Sequence, residues 1–392
     1  MRRVLTALLI AAVVTGIAGA ADANRVLAIE WAAGGGQLRW VSETTLKPTD
    51  AVSLNVGGAP ASVSAISPDG SLVALGGGDG GRLRVVDLSS LEEVALVRLG
   101  GGFVSRGVSQ TADRLHVMRL GDPTEVVTVD PLTERIVQRR KLVGTAISTL
   151  AAGKRLVVLL APMVGIGHPR LAVVAADGSV RTVALRGATA GVVWTRRSEA
   201  RSPFSRIASP GFAVSRDGDR AVVVGPRKLV EIDLGTLDQR TVVLSKRALA
   251  RVAKAPLAGW DRRAIWLAEG TLAVVGQSYS SKDGRTVSTK TGLRLLDLRS
   301  GASRTLDETA IRATLVGDIL LASGGSALRG YTAGGTLKFE VLVGENTGYV
   351  QTAGGHAYVG RGNSTRFTIV DVGGGRVVGE ARTHKPLVVL GP

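Results

Sequence analysis

Short apolar runs alternate with polar, glycine-rich punctuation along most of this chain. Residues 61–102 show the pattern most clearly, with β-branched and apolar runs at 62–66, 72–75, 83–87 and 94–99. Runs of this length and composition suit half-buried, pleated strands. Between the first two lies Ser67-Pro68-Asp69-Gly70. Pro presets φ, Asp bonds its own backbone and Gly accepts positive φ, so this segment predicts a tight turn. Residues 88–91 follow Asp87 as a second hairpin connection. The stretch therefore predicts a four-stranded antiparallel sheet. One such sheet cannot bury both of its faces alone, so it requires neighbours of the same kind.

The third strand of that unit recurs. Leu83-Arg84-Val85-Val86-Asp87 is echoed at 126–130 (VVTVD), 229–233 (LVEID), 293–297 (LRLLD) and 367–371 (FTIVD). Degenerate copies stand at 38–42, 171–175 and 328–332, which makes eight in all. Several run into a hairpin of one form: VVDLSS, TVDPLT, EIDLGT and LLDLRS. On these hairpins and the SPDG turn, the chain resembles the WD40-like and YVTN-type β-propeller repeat proteins, many of them secreted and bacterial. The resemblance covers nearly everything after residue 23. It implies an all-β fold, a single propeller of eight four-stranded blades, with seven as the alternative count. The Trp-Asp and Gly-His signatures of true WD40 repeats are missing, so that family's interaction surface is not carried over.

The two ends complete each other. The first unit has strands at 26–30, 38–42 and near 52–56 but no first strand, and the chain ends with a lone apolar run at 386–390. That run is expected to be the innermost strand of the first blade, closing the ring and removing its exposed edges. Residues 1–23 are read separately. Met1-Arg2-Arg3, the apolar run 4–18 and the small-residue sites Ala18-Gly19-Ala20 and Ala21-Asp22-Ala23 predict a secretory signal peptide. An uncleaved anchor is the alternative. Residues 24–392 are then one propeller domain, secreted or extracytoplasmic in the cell envelope. The chain has no Cys, which excludes disulfides and attachment of lipid through an N-terminal cysteine.

Four insertions break the regular spacing: 162–169, 187–209, 246–263 and 277–291. Strand order puts all of them on one side. In an up-and-down blade, second-to-third turns and links between blades share one mouth of the ring. Residues 162–169 and 277–291 are second-to-third connections, and 187–209 and 246–263 are links. Long loops on a rigid scaffold are where binding is usually found. The formal net charge of +17 favours acidic partners, and 187–209 and 246–263 together hold about half of the excess. The candidate ligand-binding residues are Trp194, Arg196, Arg197, Arg201, Arg206, Arg251, Lys254 and Trp260, with Phe204 interleaved. Cations beside aromatic faces suit anionic polymers, sugars or bases. The competing reading is a solvated basic surface whose aromatics pack on the blade tops.

Familiar chemistry is not signalled. Residues 76–81 (GGGDGG) match G-x-G-x-x-G, but a strand follows at once where a dinucleotide site needs a helix. Asp217-Gly218-Asp219 reads as a turn rather than a calcium loop. His116, His168, His356 and His384 lack zinc-ligand spacing. The periodic Asp residues are expected to serve their hairpins. The sequence thus points to a non-enzymatic extracytoplasmic binding scaffold. Its partner is a protein or an anionic polymer; nucleic acid is compatible by charge, though no motif supports it. A monomer is expected, with no catalytic residue, metal or cofactor. The alternative is an enzyme, a lactonase-like propeller hydrolase or a quinoprotein-like protein.

Overall fold

The computed structural model describes residues 24–32, 35–57, 64–67, 69–76, 81–100, 107–111, 114–119, 123–194, 204–244, 257–282, 285–360 and 365–390. The signal-peptide reading of residues 1–23 lies outside them. Among the described residues every regular element is a β-strand, and no helix is long and apolar enough to cross a membrane.

The strands form seven four-stranded sheets and one eight-stranded sheet. The regular sheets are antiparallel; in most of them strands adjacent in space are adjacent in sequence, and Ser64–Ile66, Leu72–Gly76, Arg82–Asp87 and Glu93–Arg98 pair in that order. First strands of successive units touch one another and so form the inner wall of a ring. Apolar side chains fill the space between sheets. Leu83, Val85 and Val97 of the second blade pack on Leu115, Val117 and Val127 of the third. Val157 and Leu159 of the fourth meet Val223 and Ile232 of the fifth. Each fully buried Leu or Val contributes roughly 1.5–3 kcal/mol.

Eight four-stranded blades were expected; seven are present, the alternative count. The repeat ending at Asp297 belongs instead to the eight-stranded sheet, which packs between the fifth and sixth regular blades. The physical reason is that insertion residues add strands to this sheet where loops were foreseen.

The recurring Asp does what the hairpins require. The Asp87 carboxylate accepts the Ser89 and Ser90 backbone N–H groups at 2.8 and 3.1 Å. That of Asp233 accepts Gly235 and Thr236, both at 2.8 Å. Four residues after each Asp, the chain passes through left-handed backbone at Leu91 and Leu237 (φ 56° and 69°), with Gly301 and Gly375 at the matching positions after Asp297 and Asp371. The residue directly after the Asp links units. Leu88, Leu234 and Leu298 are buried, and their carbonyls accept Trp40 Nε1 (3.1 Å), Arg181 Nη2 (2.8 Å) and Arg240 Nη2 (3.5 Å) from the preceding blade. The SPDG turn also forms: Gly70 N–H donates to Ser67 O at 2.9 Å, and Leu72 N–H to Ser67 Oγ at 2.8 Å.

Closure occurs as expected. Leu387–Leu390 pairs antiparallel with Arg25–Ala32, setting Leu27 opposite Leu390 and Glu30 opposite Leu387. Leu387 and Val389 pack with Tyr358, Phe367 and Ile369 of the last blade, whereas Leu390 joins Val73, Leu75 and Val86 of the second. The final strand therefore seals the first blade against both neighbours. Deleting 385–392 is expected to lower the melting temperature markedly and promote aggregation through the opened edge. A truncated protein that melts with wild type in calorimetry and stays monodisperse in gel filtration would contradict this role.

Candidate functional site

The four insertions meet in the eight-stranded sheet. Its blade-like half is the ring-proximal part of Leu257–Ala268 and Thr271–Lys282 with Leu293–Asp297 and Ser303–Asp307. The other half is built from insertion residues. Gly165–Gly167 pairs with Ala190–Trp194, placing Ile166 opposite Gly191. Phe204–Ser209 pairs antiparallel with Ala190–Trp194 on its other side. It then runs parallel to the start of Leu257–Ala268, with Ala208 opposite Trp260 and Ser209 opposite Asp261. The distal part of Thr271–Lys282 pairs with Arg285–Lys290, setting Gln277 opposite Lys290.

This added half rises from the inner wall. Leu257–Ala268 is itself an inner strand, and Phe204–Ser209 leads through Pro210 into Gly211–Val214, the inner strand of the fifth blade. The sheet therefore stands at one mouth of the ring. Two glycines permit its close joints. A Cβ on Gly259 would collide with the Ile207 carbonyl oxygen, and one on Gly191 (φ 128°) with that of Gly165.

Three of the eight candidate residues fall within the described residues, and all three lie in this sheet. Trp194 ends its strand opposite Phe204. Arg206 is exposed and stands opposite Val193. Trp260 is half-buried between Ala208 and Ser278, and its indole N–H is buried with no partner among the described residues. Arg196, Arg197, Arg201, Arg251 and Lys254 lie outside the described residues.

The structure adds residues that the loop reading passed over. Arg262 is buried at 2% exposure beside Trp260. Its guanidinium donates to the Asp261 carbonyl (3.1 Å), the Gln277 carbonyl and Ser278 Oγ (2.8 Å). Burial lowers its pKa to about 10, against the pull of Asp261, so it is cationic at neutral pH. Burial, and then the charge of Asp261, push the Tyr279 phenol up. Arg262 thus places a fixed positive charge inside the sheet. A signal for these strands exists in the sequence: Asp283-Gly284 between two polar, β-prone runs is a strong hairpin dipeptide.

The third-strand hairpins with their Asp residues face the opposite mouth, where Arg155 and Arg181 also lie. Hydrogen bonds from Ser89 and Ser90 hold Asp87 below the usual carboxylate range; Thr236 and Gly235 do so for Asp233, and Ser300 for Asp297. His116 is fully buried, 3.2 Å from each of the Thr111 and Thr128 hydroxyls. Among the described residues no group of three or more His, Asp or Glu is placed to hold a metal ion.

Solved structures share this architecture at low identity. The dihydro-haem d1 dehydrogenase NirN, in complex with DHE, is 13% identical, covers 92% of this chain and 74% of its own, and superposes with a TM-score of 0.59. Apo AztD from Citrobacter koseri is 12% identical over 94% of this chain and 98% of its own, with a TM-score of 0.55. The C-terminal WD40 domain of Sif2 is 12% identical over 82% and 86%, at 0.52. The fold is a WD40-like propeller. No family model matches the chain, and no curated protein matches it in sequence. At these identities the likeness concerns the propeller alone, and the function must come from the site.

Because Gly259 lets two strands meet in parallel, Gly259→Ala is expected to detach Phe204–Ser209 from Leu257–Ala268. Amides of 204–209 should lose hydrogen-exchange protection while those of Thr124–Asp130 in the third blade keep theirs. Unchanged protection at 204–209 would contradict the close-approach argument.

Proposed function

We propose that this propeller is an extracytoplasmic binding scaffold that holds an anionic partner, an acidic polymer or an acidic protein surface, at the mouth bearing the eight-stranded sheet. The reading draws its support from the convergence of four sequence-distant insertions on one sheet at one mouth. Charge agrees with it: Arg206 is exposed there, Arg262 is fixed within the sheet, and Arg196, Arg197, Arg201, Arg251 and Lys254 belong to the same insertions. Half-buried Trp260 supplies aromatic surface for stacking or cation–π contacts, and Trp194 belongs to the same sheet. Rigid strands would preorganise such a site and reduce the entropy lost on binding.

Binding to polyphosphate and to poly-glutamate is expected to fall steeply with salt, since each neutralised charge releases counterions. Replacing Arg196, Arg197, Arg251 and Lys254 by Ser should flatten that slope with the melting temperature unchanged. The same number of Arg→Ser changes at the opposite mouth should do much less. Equal losses from both sets would reduce the effect to net charge alone, and no binding by wild type at moderate salt would overturn the reading. Export is tested separately: the mass of protein recovered outside the cytoplasm should correspond to a start at Ala21 or Asn24. A mature protein that retains Met1 would contradict cleavage.

A further inference from the structure

We infer that the outer edge of Arg285–Lys290 takes up an extended, acidic segment of a partner protein as an added β-strand. The inference rests on the reading of this mouth as the docking face, and it specifies how a protein partner would be held there.

Arg285–Lys290 pairs with Thr271–Lys282 on one side, and among the described residues no strand pairs with its other side. The register decides which backbone groups are free. Gln277 stands opposite Lys290, and the Thr291 N–H donates to the Gly276 carbonyl at 2.8 Å. Residues 276 and 291 are therefore a hydrogen-bonded pair, and antiparallel alternation makes 278 with 289, and 280 with 287, bonded pairs as well. Val287 and Thr289 thus spend their backbone groups on the neighbouring strand. Thr286 and Ser288 point theirs outward. The pairing runs from Lys282–Arg285 to Gln277–Lys290 without a register shift, and Val287, Ser288 and Lys290 are exposed.

Edges of this kind are usually blunted by proline, a bulge or inward charge. This strand has no proline and no bulge. Its charge sits at the ends, where Arg285 and Lys290 flank four residues that carry none. A second copy would bring the same two cations to the shared edge, whereas an acidic strand would be attracted at both ends. Exposed Arg263 lies in the same sheet, on Leu257–Ala268 at the far side of Thr271–Lys282. Main-chain bonds would then supply affinity and the terminal cations selectivity.

The probe is a short fluorescent peptide alternating Glu and Val, with a twin of equal charge whose alternate amides are N-methylated. The full-length propeller is expected to bind the first at least about tenfold more tightly than the second, since only the first can extend the ladder. Ser288→Pro removes one outward N–H while leaving the inward ladder intact, and should weaken the unmodified peptide by a similar factor. Hydrogen exchange on wild type checks the geometry without any mutation. The Thr286 and Ser288 amides should exchange quickly in the free protein and slowly with the peptide, while those of Val287 and Thr289 stay protected in both. Equal affinity for the two peptides, or unaltered exchange at Thr286 and Ser288, overturns the inference. Protection of these amides by self-association alone would do the same, by making the occupant a second copy. If polyphosphate binds with the expected salt slope and the peptide does not bind, the edge inference falls and the anionic-site reading stands; if neither binds, both fall.

Discussion

A four-stranded sheet with two apolar faces must be covered on both sides, and everything else in this molecule follows from that constraint. An open row of such sheets would always leave two faces wet at its ends. The chain removes the ends by pairing Leu387–Leu390 with Arg25–Ala32, so the first blade is made from both extremes of the sequence. Leu387 and Val389 on one face and Leu390 on the other then complete the packing with the last and second blades. With no cysteine to staple the ring, this short ladder and its apolar contacts carry the closure.

The closed ring has two mouths under different obligations. At one, five third strands end in an Asp that caps its hairpin, and after Asp87, Asp233 and Asp297 comes a buried residue whose carbonyl ties the previous blade. Those residues are committed to architecture. The second-to-third turns and inter-blade links at the other mouth have no such duty, so they can lengthen without disturbing the ring. The described parts of the four insertions lie there.

Much of this was legible in the sequence because it is periodic. The Leu-x-Val-Val-Asp strand, the SPDG turn and the orphan run at 386–390 each state a local geometry, and strand parity alone brought four distant insertions to one mouth. The count of regular blades was less legible. The motif ending at Asp297 marks a third strand, but it says nothing about how wide its sheet will grow. The insertions 246–263 and 277–291 break the regular spacing and so read as loops in sequence, yet Trp260-Asp261-Arg262 and Tyr279 lie on strands. Their pairing partners, such as Ala208 for Trp260, are too far away in sequence for any local pattern to announce. Arg262 illustrates the same limit. In sequence it is one cation in a basic run; only the ladder shows it enclosed by the Gln277 carbonyl and the Ser278 hydroxyl.

The parallel ladder between Phe204–Ser209 and Leu257–Ala268 stands apart, since every other strand pairing among the described residues is antiparallel. A parallel pair needs a long crossover, and here the crossover contains an entire blade, from Gly211–Val214 to Gln239–Val243. The loop-closure entropy of this contact is reduced only once that blade has folded and brought its two flanks together. Assembly of the mouth is therefore expected to trail assembly of the fifth blade. The order of events in folding is written into which strands lie side by side, and the added half of the eight-stranded sheet would be among the last parts of the molecule to come into existence.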